Sequence, residues 1–303
     1  MPDFTAVPQL RSMPPQQAPQ HTGSLAEIAA WLAAAQDSEK AQPLTHVRAI
    51  IFAGAHGIAE RTIDGVGIGP WSSADEESWR EDLTTAAHRA EASVEFIECA
   101  EAAAIDSAPA MSAEELERHV ELGKKSADRE VDSGSDLLLT SDFGIGGETV
   151  AAAVMGRITR TEPVAILGTR TSGSVTDQMW KTRVTIVRDA MFRARNLEGW
   201  EVVQTIGSPS LAALVGFIAQ ATARRTPVLI DGPLAATAAV LAERSAPGVK
   251  GWLGAGSTSL EPAQALAFKE LSLSPLLDLK LSAGYPLGAL AALPLVQLAA
   301  ELG

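Results

Sequence analysis

Asp136-Leu137-Leu138-Leu139-Thr140-Ser141-Asp142-Phe143-Gly144-Ile145-Gly146-Gly147-Glu148-Thr149-Val150 is the stretch on which the rest of the sequence turns. Its apolar start reads as a fully buried strand, and its centre is a glycine-dense turn. The residues that follow, Ala151-Ala152-Ala153-Val154-Met155, are rich in helix formers. A strand, a glycine loop and a helix in that order can cradle phosphate. The glycines let backbone N–H groups converge, and the helix N-terminus adds partial positive charge. A tight strand–helix turn with no ligand has the same pattern. The loop is neither G-x-G-x-x-G nor a Walker A sequence, since no Lys follows the glycines.

Outward from this stretch, further strands are predicted at His46 to Ala53, Val94 to Ile97, Pro163 to Leu167 and Pro227 to Gly232, with Gly251 to Gly254 as the last. Helices are predicted from Ser24, where Ser24-Leu25-Ala26-Glu27 has the form of a capping box, through Ala34. Others run from Glu76 to Ala92, from Ala113 to Gly134 behind Pro109-Ala110-Met111-Ser112, and from Leu211 to Ala223. This alternation predicts an α/β fold, a doubly wound and mainly parallel Rossmann-like sheet, with a smaller helical domain. Residues 1–22 read as an extended Pro/Gln-rich arm, loose or laid over a partner subunit. Residues 23–45 and 285–303 are assigned to the helical domain, and 46–284 to the large phosphate-binding domain.

The first strand runs into Gly54-Ala55-His56-Gly57, at the strand end where α/β folds place ligands. His56 there reads as a base or donor, or as a structural hydrogen-bonding group. Asp64 to Ser73 is a glycine-rich loop holding Pro70 and Trp71, and Gly168 to Ser174 is a second small-residue loop whose Arg170 is suited to pairing with phosphate. The helix beyond it carries Lys181, Arg183 and Arg188, read as a solvated face.

With 303 residues and a formal net charge of −13, the chain lacks the basic face that nucleic acid or an anionic membrane would need. Its single cysteine, Cys99, rules out an internal disulfide framework and fits a reducing compartment. No apolar run reaches the ~20 residues of a membrane helix, and the N-terminus has no signal-peptide pattern, so a cytoplasmic location is expected.

Taken as an ordered set, several segments resemble the nicotinate-nucleotide–dimethylbenzimidazole phosphoribosyltransferases, from about Ile50 to Leu298. Phe52-Ala53-Gly54-Ala55-His56-Gly57 is similar to the family's F-A-G-D-H-G, and Pro109 to Ser112 to its P-A-M-T. Asp142 to Thr149 falls on its G-E-M-G-I-G-N-T-T phosphate loop, which implies phosphate binding by Gly144, Ile145, Gly146, Gly147, Glu148 and Thr149. Leu229-Ile230-Asp231-Gly232, Ser259-Leu260-Glu261-Pro262 and Pro275 to Leu279 are similar to its L-L-D-G, S-A-E-P and P-L-L-D-L. The resemblance implies transfer of phosphoribose from nicotinate mononucleotide to a benzimidazole nitrogen, with inversion at C1′. It also implies a homodimer, small-molecule nucleotide and azole-type partners, and neither metal nor cofactor.

Several positions depart from the family pattern. Tyr285 stands where the family's C-terminal motif has its proposed catalytic Glu, Ala55 replaces an Asp, and Asp142 is one methylene shorter than the family's Glu. Gly147-Glu148 replaces Asn-Thr, Thr182 stands at the expected Lys, and Trp71 takes the place of a Gln in the loop beside the benzimidazole. An unperturbed phenol, with a pKa of about 10, donates rather than removes protons at neutral pH. With Tyr285 in that place, an active enzyme would draw its base from Asp142 or His56. The alternative is a catalytically impaired binding or regulatory subunit that keeps the fold and pocket, or pairs with an active paralogue.

Overall fold

The computed structural model describes residues 2–10, 23–59, 73–167, 177–281 and 286–302. In chain order the elements are α1 (Ser24–Ala35), β1 (Val47–Ala53), α2 (Ser73–Arg89), β2 (Ala92–Glu98), α3 (Ala113–Asp132) and β3 (Leu137–Phe143). Next come α4 (Gly147–Thr159), α5 (Pro163–Leu167), α6 (Asp177–Arg193), α7 (Trp200–Ile206), α8 (Pro209–Ala223) and β4 (Val228–Ile230). The chain closes with α9 (Pro233–Ser245), β5 (Leu253–Ser259), α10 (Pro262–Leu271), β6 (Pro275–Leu281) and α11 (Leu287–Leu302).

The sheet has six strands in the order β2-β1-β3-β4-β5-β6, and every pairing is parallel. Parallel sheets are covered on both faces, so their central strands read as continuous apolar runs. Every residue of β3 is buried. Ile50, Phe52, Leu138 and Ile230 point into a core shared with α3, α4, α8, α9 and α10. Ala49, Ile51, Leu137, Leu139 and Leu229 point the other way, into a core with α1, α2 and α11.

Close helix packing on the first face depends on two glycines. A Cβ on Gly123 of α3 would lie 1.9 Å from the Ala213 carbonyl oxygen of α8, and one on Gly216 of α8 would lie 2.1 Å from that of Val120. The α3 N-terminus is closed by a capping box: Ser112 Oγ accepts from Glu115 N at 3.1 Å, and Glu115 Oε2 accepts from Ser112 N at 2.8 Å.

Four details differ from the sequence reading. Pro163–Leu167 is a short helix, not a strand. Five apolar residues carry no periodicity that separates the two, and this segment lies outside the sheet order. The last strand is β6; Val249–Trp252 is a 3₁₀ turn, and β5 begins only at Leu253. Ser24 is not a capping residue, because Gly23 takes the N-cap position at φ 50° and no side chain caps the helix. Finally, residues 2–10 lie on their own chain. Phe4 stacks on Trp200 with ring centroids 5.7 Å apart, Val7 is buried, and Trp252 Nε1 donates to the Pro8 carbonyl at 2.8 Å.

Filling the α3–α8 contact is expected to be costly, because overpacking a tight core typically costs ~1–3 kcal/mol. Gly216→Ala should therefore lower the free energy of unfolding by about that amount in urea titration. An unchanged midpoint would show that the helices are not in contact there.

Candidate functional site

The strand order reverses between β1 and β3, and in open α/β sheets the crevice beyond such a reversal is where ligands bind. Two glycine turns cross there. Gly54 N donates to the Phe143 carbonyl at 3.0 Å, and a Cβ on Gly144 would lie 2.1 Å from the Gly54 carbonyl oxygen. The β1 turn is pinned on its other side, where Ala102 N donates to Ala55 O at 2.9 Å and Gly57 N to Ala102 O at 2.8 Å. Gly146, the N-cap of α4, sits at φ 93°, a conformation that L side chains rarely adopt.

These constraints bring His56 and Asp142 to the start of α4. A Cβ at Gly147 would stand 2.5 Å from Asp142 Oδ2 and 3.6 Å from His56 Nε2. His56 is 3% exposed and Asp142 5%. Neither ring nitrogen of His56 has a hydrogen-bond partner among the described residues, nor does Asp142 Oδ1. Buried polar atoms left unpaired are costly and uncommon, so this group is what a polar ligand would satisfy. Burial pushes the His56 imidazole down to about 4, so it is neutral and a weak base. Burial, then the charges of Glu148 and Asp231, hold the Asp142 carboxyl well above the usual carboxylate range.

Asp231 closes the next strand end. Its Oδ2 accepts from Ala289 N at 2.9 Å, and burial raises its pKa to about 7 against the opposing effect of the backbone N–H groups around it. The positive charge comes from Arg183. Its Nε donates to Thr149 Oγ1 at 3.0 Å, and its two terminal nitrogens hold both oxygens of Glu261 at 3.0 Å. Burial disfavours the guanidinium, but the Glu261 carboxylate outweighs this and raises its pKa. The α6 face read as solvated therefore turns Arg183 inward. The sequence signal was available in Ser259-Leu260-Glu261-Pro262, whose acidic residue needs a buried partner.

Gly144, Ile145, Gly146, Gly147, Glu148 and Thr149 all lie at this crossing, from the end of β3 into the first turn of α4. Trp71, Arg170 and Tyr285 lie outside the described residues.

The phosphoribosyltransferase family profile DBI_PRT matches residues 9–303. The chain belongs to this phosphoribosyltransferase family. Among its relatives, the nicotinate-nucleotide–dimethylbenzimidazole phosphoribosyltransferase of Corynebacterium glutamicum (strain ATCC 13032) is 38% identical over 306 residues, covering 94% of this chain and 84% of that one. The protein of the same name from Mycobacterium avium (strain 104) is 37% identical over 302 residues, covering 91% and 85%. The crystal structure of the nicotinate-nucleotide–dimethylbenzimidazole phosphoribosyltransferase from Thermus thermophilus superimposes with a TM-score of 0.83 at 27% identity, covering 95% of this chain and 91% of that one. No helix among the described residues of this phosphoribosyltransferase family member is long and apolar enough to cross a membrane.

The buried histidine predicts a pH dependence of stability. Its folded-state pKa of about 4 lies below the ordinary 6.5, so the unfolded chain binds a proton that the folded chain does not. Stability from this group is complete above 6.5 and is lost as pH falls toward 4, by ~3 kcal/mol at 1.36 kcal/mol per pH unit. In His56→Leu this loss is absent, so the variant should gain about that much relative to wild type between about pH 7 and pH 4. A difference in unfolding free energy that stays constant over the same range would contradict the buried, neutral assignment.

Proposed function

We propose that the protein transfers phosphoribose from nicotinate mononucleotide to a nitrogen of dimethylbenzimidazole or a related azole, as a homodimer in the cytoplasm. The reading is supported by family membership along nearly the whole chain. The observation that carries it is the buried, unpartnered Asp142 carboxyl oxygen beside the N-terminus of α4, with Arg183 against the same turn.

The reaction breaks the bond between C1′ and the pyridinium nitrogen of nicotinate, and the electron pair returns to that nitrogen. The azole lone pair forms the new bond at C1′ from the opposite face, and the proton on the azole's other nitrogen must leave. Asp142 is the group suited to take it, since a carboxyl with a raised pKa binds a proton more tightly than an ordinary carboxylate. His56, held neutral by burial, fits a hydrogen-bonding role better than that of base. The phosphate and its negative charge fall to the turn of Gly144 to Thr149 and to Arg183. The guanidinium, held by Glu261, is also attracted by Glu148, whose charge would otherwise repel a dianion.

Nicotinate release from nicotinate mononucleotide and dimethylbenzimidazole, followed by chromatography, tests the assignment. Wild type should turn over, with a rate that rises with pH as Asp142 ionises. Asp142→Asn should be slower by about 10²–10⁴-fold, the usual contribution of a general base. Wild-type turnover undiminished in Asp142→Asn would remove Asp142 from the chemistry, and no turnover by wild type would remove the transferase reading itself.

A further inference from the structure

Asp231 follows β4 directly and is 2% exposed, and its carboxylate is taken up by the first turn of α11. Oδ2 accepts from Ala289 N at 2.9 Å, and the backbone N–H groups of Gly288, Gly232 and Ser257 also favour its ionised form. The seat is too tight for a side chain at position 288: a Cβ there would lie 2.7 and 2.9 Å from the two carboxylate oxygens and 2.5 Å from Ser257 Cβ. Gly256 of β5 is as close, since a Cβ on it would be 2.6 Å from Ala289 N. On the far side of the same strand, Ser257 Oγ accepts from Leu279 N of β6 at 3.0 Å.

The first N–H groups of a helix have no partner within it, and negative charge is favourable at that end. One carboxylate thus joins β4 and β5 to the start of the last helix. The same carboxylate acts electrostatically on Asp142 at the end of β3.

We propose that Asp231 is a positioning residue, whose carboxylate pins the first turn of α11 at the crest of the sheet, beside the strand that carries Asp142. Its consequence for turnover rests on the phosphoribosyltransferase reading, whereas the pinning does not. Tyr285 is the single tyrosine of the chain and lies two residues before α11 in sequence.

The experiment replaces the tyrosine with 3-fluorotyrosine and records the ¹⁹F spectrum of the full chain. Wild type should give one resonance. Asp231→Asn, which keeps the size and one acceptor oxygen, should shift it or broaden it, and Asp231→Ala should do so further. Glu130→Gln serves as a control for general loss of a buried carboxylate: Glu130 is also 2% exposed and is paired with Arg48 and Arg129. It should leave the resonance where it was. In nicotinate release, Asp231→Asn should lower kcat by on the order of 10²-fold, the effect of a small misplacement at a reacting centre, with KM for nicotinate mononucleotide near wild type.

A resonance unmoved in both folded Asp231 variants would overturn the pinning. A resonance moved equally by Glu130→Gln would overturn its specificity. If Asp231→Ala does not fold, Asp231→Asn decides alone. A wild type without turnover would sink the transferase reading while the fluorine measurement still judged this one.

Discussion

The close crossing of two backbone turns, where Gly144 would meet the Gly54 carbonyl oxygen at 2.1 Å with any side chain in place, decides where the rest of the site stands. Because β1 and β3 are neighbours in register, with Phe52 opposite Asp142 and Ala53 opposite Phe143, their loops leave the sheet together. One carries His56 and the other leads into α4. Neither loop can shift without the other, and the places of His56 and of the start of α4 are therefore set by the sheet.

The electrostatics follow from that confinement. Four acidic side chains, those of Asp142, Glu148, Asp231 and Glu261, gather where the strands end, and Arg183 is paired with Glu261 and attracted by Glu148. Asp231 is held by backbone N–H groups, and Glu261 by the guanidinium. Asp142 has an oxygen with no partner among the described residues, so a bound substrate would complete it. Burial raises the proton affinity of both Asp142 and Asp231, and of the two only Asp142 has an oxygen without a partner among the described residues.

Much of this could be read in the sequence, because buried parallel strands are apolar along their whole length. Leu137-Leu138-Leu139 and Val228-Leu229-Ile230 stand out for that reason, as do the glycine turns that follow the strands at Gly54 and Gly144. The sequence was least legible where long-range packing overrides local preference. β5 is Leu-Gly-Ala-Gly-Ser-Thr-Ser, poor in strand formers; it is a strand through its pairing with β4 and β6, and α11 lies too close to Gly256 for a larger residue there. Pro163-Val164-Ala165-Ile166-Leu167 has the composition of a strand, but it is a short helix outside the six-stranded sheet. The inward turn of Arg183 could be inferred only by asking which cation serves Glu261, a residue 78 positions away.

The central claim is that phosphoribosyl transfer takes place at the β1–β3 crossing. It is tested most directly by a crystal structure of the protein with nicotinate mononucleotide and dimethylbenzimidazole bound. The account predicts the phosphate against the turn of Gly144 to Thr149 and Arg183, with the azole nitrogen within hydrogen-bond reach of Asp142. Ligands seated at another part of the sheet, with His56 and Asp142 still unpartnered, would contradict it.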